Sequence, residues 1–169
     1  SAVEAARLVQ SIEPSWAAAA QALHYEPIVT VYAQSDGTTL PHPMLALRSD
    51  DVRRPAQFVF DHGQLGGCPG QLAFVISGAQ PWVDRGAADT RAATLAQARE
   101  ALGFHLRAPL RLVHLLTEKR ATFRCTPDLL RPVAAITPDL IAAGDYVAGP
   151  YPATLEGAVR SGIFAVRSV

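Results

Sequence analysis

The chain has 169 residues, of which 49% are hydrophobic, and its 15 basic and 15 acidic side chains balance to a formal net charge of zero. That balance excludes strong long-range attraction to nucleic acid or to an anionic membrane surface, and no apolar run reaches the roughly 18 residues that a membrane span needs. The first residues do not resemble a secretion signal, and the two cysteines, Cys68 and Cys125, lack metal-ligand spacing. We therefore expect a cytoplasmic globular protein without a metal site.

The N-terminal third predicts two helices and a strand. Apolar residues recur at helical spacing over residues 2–23, with Pro14 interrupting them, so two short helices are expected. Residues 27–34 are rich in β-branched and aromatic side chains, which favours a strand, and Asp36-Gly37 is a strong turn signal. Met44 is the only methionine, so we expect the chain to be truncated or processed from a longer protein.

The middle of the chain predicts a sheet and one long helix. The apolar runs at residues 58–60 and 72–77 are separated by a glycine-rich stretch, and we expect them to pair as antiparallel neighbours. Residues 89–103 are alanine-rich and end with a glycine, which indicates a helix. Residues 110–116 and 121–123 form a β-like stretch with the charged residues 118–120 between them, and alternation on a strand predicts that these charges lie on a solvated face.

The C-terminal part predicts a strand, a loop and a helix. Residues 139–143 are expected to form a short buried strand, and a loop rich in glycine and proline follows. A helix beginning near Leu155 would carry an apolar face. That predicted face consists of Leu155, Ala158, Val159, Gly162, Ile163 and Val166. The simplest architecture for these predicted elements is an α+β fold, with a mixed, largely antiparallel sheet and flanking helices.

The junction between this strand and this helix has the properties of a ligand site. A strand that ends in Gly144 allows a close approach of the backbone to a ligand, and Asp145 beyond it projects a carboxylate. Because a carboxylate repels phosphate, its useful partner is a hydroxyl group. The helix that starts at Thr154 or Leu155 directs unpaired N–H groups and a partial positive charge at whatever precedes it.

Residues 143–162, from Ala-Gly-Asp-Tyr to Arg-Ser-Gly, resemble the C-terminal flavin-contacting motif of the amine oxidase and phytoene desaturase superfamily. Further stretches are similar to the substrate domain of squalene-associated FAD-dependent desaturases, the hydroxysqualene dehydroxylases. Those stretches are residues 25–32, 40–44, 58–67, 72–79 and 117–123. The resemblance implies an oxidoreductase that converts hydroxysqualene to squalene, in bacterial squalene and hopanoid synthesis.

This resemblance also implies a domain division and a set of cofactor contacts. Residues 1–136 would belong to the substrate-binding domain and residues 137–169 would be the C-terminal strand, loop and helix of the FAD-binding domain. The residues expected to contact FAD are Gly144, Asp145, Pro152, Ala153, Thr154 and Leu155. No Gly-x-Gly-x-x-Gly sequence follows a strand, so we expect the full-length enzyme to bind FAD and this chain alone to bind it weakly or not at all.

The partners implied are an isoprenoid substrate and no nucleic acid, with peripheral contact to the inner membrane as one route to a lipid substrate. No catalytic acid or base and no oligomeric state is assigned. Apolar walls suit such a substrate, and some aromatic residues could line its cavity, although core positions are more typical of them. These aromatic residues are Trp16, Tyr32, Phe58, Phe74 and Trp82.

Two other functions remain open from the sequence alone. The chain could be a stand-alone, non-catalytic binding or interaction module that keeps the flavoprotein substrate-domain fold. It could also be a small hydrolase in which His62, beside Asp61, activates Cys68 as a nucleophile.

Overall fold

The computed structural model describes residues 1–50 and 52–168, and these form two compact units. One unit is continuous and comprises Glu26–Ala121, whereas the other combines Ser1–Tyr25 with the chain from Thr122 onward. We call them the central unit and the terminal unit. These boundaries differ from the division at residue 136, which concerned the parts of a longer enzyme and stays a prediction.

The central unit is built around a sheet with strand order β2-β3-β4-β1-β5. The pairs β2–β3, β3–β4 and β1–β4 are antiparallel, which includes the pairing predicted for residues 58–60 and 72–77. Its strands and helices are β1 Tyr25–Gln34, β2 Met44–Ala46, β3 Phe58–Asp61, β4 Gln71–Ile76, α3 Gln80–Arg85, α4 Ala87–Leu102 and β5 Arg111–Phe123. The α+β class and the largely antiparallel sheet with flanking helices are confirmed.

One face of this sheet forms the core of the central unit. Every second residue of β1 is buried, and Val31 lies opposite Phe74 in the register, so both side chains point to the same face. They cluster there with Trp82 of α3 and with Ala98 and Leu102 of α4. The alternation visible in the sequence therefore corresponds to one buried and one partly exposed face.

Strand β5 confirms the β-like stretch predicted over residues 110–123. The strand is continuous from Arg111 to Phe123, and the charged side chains in its middle are exposed. Because those side chains extend into solvent, they do not disturb the extended backbone. The solvated face predicted for them is confirmed.

The terminal unit contains three helices and a small hairpin. Helices α1 (Ala2–Val9) and α2 (Pro14–Gln21) confirm the two predicted helices separated at Pro14. Two short strands, β6 (Ala135–Thr137) and β7 (Leu140–Ile141), form the antiparallel hairpin, and α5 (Leu155–Arg167) follows. Trp16 is buried and its Nε1 donates a hydrogen bond to the carbonyl of Val133 at 2.7 Å.

Two expectations for this region are wrong. The strand predicted over residues 139–143 has only two residues, Leu140 is 37% exposed, and Ala142 alone is buried there, because a two-stranded hairpin has little surface to cover it. The predicted apolar face of α5 is also exposed. Leu155 and Val166 are 88% and 81% exposed, whereas the buried and half-buried positions carry small residues such as Gly157, Ala158 and Ser161.

Candidate functional site

The predicted site lies in the terminal unit, on the loop that joins β7 to α5. Arg131 holds this loop by donating from Nη1 to the carbonyl of Val147 at 2.7 Å and from Nη2 to the carbonyl of Gly149. Tyr151 and Ala153 adopt positive φ angles of 61° and 55°, which are uncommon for residues other than glycine. The loop therefore has a defined and locally strained conformation.

Glycine is required at position 144 because of the ring of Tyr146, two residues further along the chain. A Cβ atom at this position would lie 2.4 Å from Cε1 and 2.7 Å from Cδ1 of Tyr146. The sequence predicted that the missing side chain leaves room for a ligand, but the ring of Tyr146 occupies that space. The peptide N–H of Gly144 donates to Oγ of Ser161 at 2.8 Å, so this backbone is attached to α5.

Asp145 presents a half-buried carboxylate that is available to a ligand. Its backbone carbonyl accepts a hydrogen bond from the N–H of Ala153 at 3.3 Å, which closes the loop. Across residues 1–50 and 52–168, however, no hydrogen bond or ion pair involves its carboxylate oxygens. The carboxylate can accept hydrogen bonds from outside the chain.

Burial raises the pKa of Tyr146, and the nearby Tyr25 and Asp145 raise it further. Tyr146 is only 7% exposed and contributes to the core of the terminal unit. Its phenol therefore remains protonated and uncharged at physiological pH and adds no second negative charge beside Asp145.

Thr154 begins α5 as its N-cap. Its Oγ1 accepts a hydrogen bond from the N–H of Gly157 at 3.0 Å and donates to the carbonyl of Tyr151 at 2.7 Å. A Cβ atom at Gly157 would lie 2.2 Å from that carbonyl oxygen, so the loop can pack on the first turn only where residue 157 is glycine. In the described part of the chain, the N–H groups of Leu155 and Glu156 have no acceptor.

The six predicted residues are thus close in the fold but differ in accessibility. Pro152, Thr154 and Leu155 are exposed, whereas Gly144, Asp145 and Ala153 are half-buried. The backbone hydrogen bond from Ala153 to Asp145 and the attachment of Gly144 to α5 bring the end of the hairpin beside the helix start. No ligand contact of these six residues has been observed, and their assignment stays a prediction.

Sequence reasoning missed the residues that hold this arrangement together. Arg131 holds the loop through backbone carbonyls, and Gly157 allows the loop to approach the helix closely. Ser161 attaches Gly144 to the helix through its hydroxyl. The last two lay within the Glu-Gly-Ala and Ser-Gly portions of the motif, and that was the only signal for them. Gly162 belongs to the apolar face predicted for α5, but a Cβ atom there would meet nothing within 4 Å.

A cavity of about 300 Å³ lies between this loop and α5, and none of the six predicted residues lines it. Its walls are mostly apolar, with the guanidinium of Arg160 at one side. That guanidinium pairs with Glu156 at 2.5 Å and lies 5.0 Å from the ring centre of Tyr151. The lining residues are Ala134, Val147, Ala148, Gly149, Pro150, Gly157, Arg160, Ser161 and Phe164.

The alternative nucleophile in the central unit has no catalytic geometry. Cys68 is exposed, and among the residues described here no hydrogen bond joins it to His62. Asp61 is 1% exposed and accepts hydrogen bonds from the N–H of Leu40 at 2.9 Å and of Gly63 at 3.0 Å. This carboxylate is therefore committed to the loop structure and does not orient the imidazole.

No group of three or more His, Cys, Asp or Glu side chains in residues 1–50 and 52–168 is arranged to hold a metal ion. In the same residues, no helix has the length and apolar character that crossing a bilayer requires.

Comparison with known proteins places the chain in a family. A search of curated proteins gives no match. The family model described as flavin containing amine oxidoreductase, however, matches residues 2–169, which is nearly the whole chain. The loop and helix built from residues 144–155 lie within that match, and the chain belongs to the family of flavin containing amine oxidoreductases.

Proposed function

We propose that this chain is part of an FAD-dependent oxidoreductase that converts hydroxysqualene to squalene, and that residues 144–155 contact the flavin. The dinucleotide-binding part of the enzyme would lie outside the chain. The observation that carries the proposal is the free carboxylate of Asp145 beside the unpaired N–H groups at the start of α5.

The chemistry of these groups fits a flavin. The ribityl chain offers hydroxyl donors, and an ionised carboxylate such as Asp145 is an acceptor only. The N–H groups of Leu155 and Glu156, together with the helix dipole, suit the pyrimidine edge of the ring, which becomes negative on reduction. Such a dipole interaction contributes about 0.3–1 kcal/mol, and up to about 2 kcal/mol when partly buried.

When bound, the flavin supplies the redox chemistry. The residues of this chain bind and orient it: Asp145 would hold the ribityl hydroxyls, and the first turn of α5 would favour the reduced, negatively charged ring. Thr154 fixes that turn by satisfying the N–H of Gly157, which leaves the two preceding N–H groups free for the cofactor.

The side chains on the outer face of the central sheet favour a hydrocarbon as the substrate. Paired residues on neighbouring strands share a face, and the register gives two rows of side chains across four strands. One row is Met44, Phe60, Ala73 and Tyr32, and the other is Ala46, Phe58, Val75 and Thr30. Most of them are apolar and partly exposed, which suits an isoprenoid chain that needs apolar walls.

Flavin binding can be tested with Asp145→Ala in the full-length protein. The wild-type protein, purified by gel filtration after reconstitution with FAD, should be yellow, and the variant should bind FAD more weakly by on the order of tenfold or more, since hydrogen bonds to a charged group are lost. Asp139→Ala is the matched control, because Asp139 is an exposed carboxylate on the nearby hairpin. A colourless wild-type protein, or equal affinity in wild-type and Asp145→Ala proteins, would overturn the proposal.

The substrate assignment needs a separate experiment. Phe58→Ser should raise the KM for hydroxysqualene while leaving the visible flavin spectrum unchanged, because Phe58 lies on the outer face and not near residues 144–155 in sequence. Phe104→Ser removes a fully exposed phenyl ring elsewhere in the central unit and should leave the KM unchanged. Equal KM values for both variants would contradict the outer face as a substrate wall.

A further inference from the structure

Ser161 makes an unusual set of hydrogen bonds for a serine inside a helix. Its Oγ accepts from the N–H of Gly144 at 2.8 Å, and its hydroxyl hydrogen is directed to the carbonyls of Ala158 at 2.8 Å and Gly144 at 3.0 Å. Residue 144 is 17 positions away in the sequence. A single hydroxyl therefore connects both polar groups of one peptide residue with the second turn of α5.

An ordinary helical serine provides the comparison. Serine hydroxyls within helices commonly donate to the carbonyl one turn earlier and to nothing else. Ser168 does this at the end of α5, where its Oγ donates to the carbonyl of Phe164 at 2.9 Å. The local bond from Ser161 to Ala158 matches that pattern, but both bonds to Gly144 go beyond it.

The hydrogen bonds between Ser161 and Gly144 connect the two parts of the candidate flavin site, Asp145 and the start of α5. Gly144 immediately precedes Asp145, and Ser161 lies one to two turns after the free N–H groups of Leu155 and Glu156. Among the described residues, Ser161 is the only one from Leu155 to Arg167 whose side chain hydrogen-bonds to residues 142–148. The distance between the carboxylate and the helix start therefore depends on this hydroxyl together with the backbone hydrogen bond from Ala153 to Asp145.

We propose that Ser161 is a positioning residue that fixes the carboxylate of Asp145 relative to the N-terminus of α5, and so sets flavin affinity and reduction potential. This inference rests on the proposed flavin contact of residues 144–155. Loss of the hydroxyl would let the helix start move away from the reduced ring. Because the positive end of the helix stabilises that negative ring, the potential would become more negative.

The first measurement is amide hydrogen exchange at Gly144 in the chain itself, without cofactor. Ser161→Ala should accelerate this exchange by roughly two- to tenfold, as expected for the loss of one hydrogen bond. Ser168→Ala is the matched control, since it removes a hydroxyl from the same helix that bonds only locally, and it should leave exchange at Gly144 unchanged. Equal exchange in wild-type and Ser161→Ala proteins would overturn the link whatever the protein does with flavin.

The second measurement is the reduction potential and FAD dissociation constant of the flavin-loaded full-length protein. Ser161→Ala should give a more negative potential and weaker FAD binding, and Ser168→Ala should give neither. Gln97→Ala serves as a stability control, because it removes buried hydrogen bonds in the central unit. This variant should lose stability without a change in the reduction potential.

The outcomes separate the two proposals. Faster exchange at Gly144 with an unchanged potential and affinity would overturn the positioning role and leave the flavin contact standing. Failure of the wild-type full-length protein to bind FAD would overturn the proposed function and the positioning role together, while faster exchange would still establish Ser161 as a structural link.

Discussion

The fold requires glycine at position 144 but not at position 162. Gly144 has the ring of Tyr146 where its Cβ would be, whereas a Cβ at Gly162 would meet no atom within 4 Å. We expect Gly144→Ala to lower the free energy of unfolding by about 1–3 kcal/mol through overpacking. Gly162→Ala should raise it by up to about 1 kcal/mol, because alanine favours the helix.

Urea denaturation of both variants tests this pair of predictions. The two changes add the same methyl group within one unit, so they serve as controls for each other. Destabilisation of similar size in both variants would show that helix α5 packs at Gly162 more closely than the structure indicates.

Asp61 predicts a pH dependence of stability. Burial raises its pKa, but hydrogen bonds from the side chain of Gln64 and from the backbone N–H groups of Leu40, Gln64 and Gly63 lower it more, and the net pKa is below its usual value. The unfolded chain, with a pKa near 3.9, binds a proton more readily than the folded one. The stabilisation is therefore complete above about pH 4 and is lost as the pH falls through the folded pKa.

Asp61→Asn should remove this dependence. We expect it to lower the free energy of unfolding by about 1–3 kcal/mol at pH 7 and to flatten the loss of stability below pH 4 relative to the wild type. Asp139→Asn changes an exposed carboxylate and should retain the wild-type acid profile. Parallel profiles for Asp61→Asn and wild type would contradict the prediction.

At the scale of elements, helix α5 depends on its cap. Thr154 satisfies the N–H of Gly157 and holds the carbonyl of Tyr151. Thr154→Ala should lower the free energy of unfolding by about 1 kcal/mol and increase amide exchange in the first turn of α5. Thr154→Ser keeps the hydroxyl and should behave like the wild type, so equal effects of the two changes would argue against the cap.

Helix α5 also shows what the sequence could predict and what it could not. The start of the helix followed from local signals, namely the threonine at the cap and the prolines before it. Its packing did not, because hydrophobic periodicity indicates an apolar face but not whether anything covers it. Val159 and Ile163 were placed correctly on one face, yet both are substantially exposed.

The positions of the strands could be predicted from local apolar patterns, but their lengths could not where these depend on pairing with another strand. The predicted pairing of residues 58–60 with 72–77 needed only a glycine-rich connection. The shortness of β7 was not evident from the apolar run over residues 139–143, because it depends on pairing with the three-residue strand β6. Likewise, the contacts of Arg131 and Ser161 in the candidate site involve backbone carbonyls, which carry no sequence signal.

At the scale of the whole molecule, two separate hydrophobic cores predict separate responses to mutation. Phe74 lies in the core of the central unit and Trp16 in that of the terminal unit. Phe74→Leu and Trp16→Phe should each destabilise their own unit by on the order of 1–2 kcal/mol. Native-state amide exchange should then rise in β4 for the first variant and around Ala142 and Val147 for the second.

Each variant is the control for the other. A uniform rise in exchange over both units in either variant would show that they open as a single cooperative structure.

The discontinuous terminal unit imposes an order on biosynthesis. Residues 26–121 leave the ribosome as an uninterrupted block, whereas Trp16 is synthesised 130 positions before Tyr146, which belongs to the same core. At typical translation speeds this interval is on the order of ten seconds. During it, the apolar sides of α1 and α2 have only each other to pack on, which makes them natural ligands for chaperones that hold nascent polypeptides.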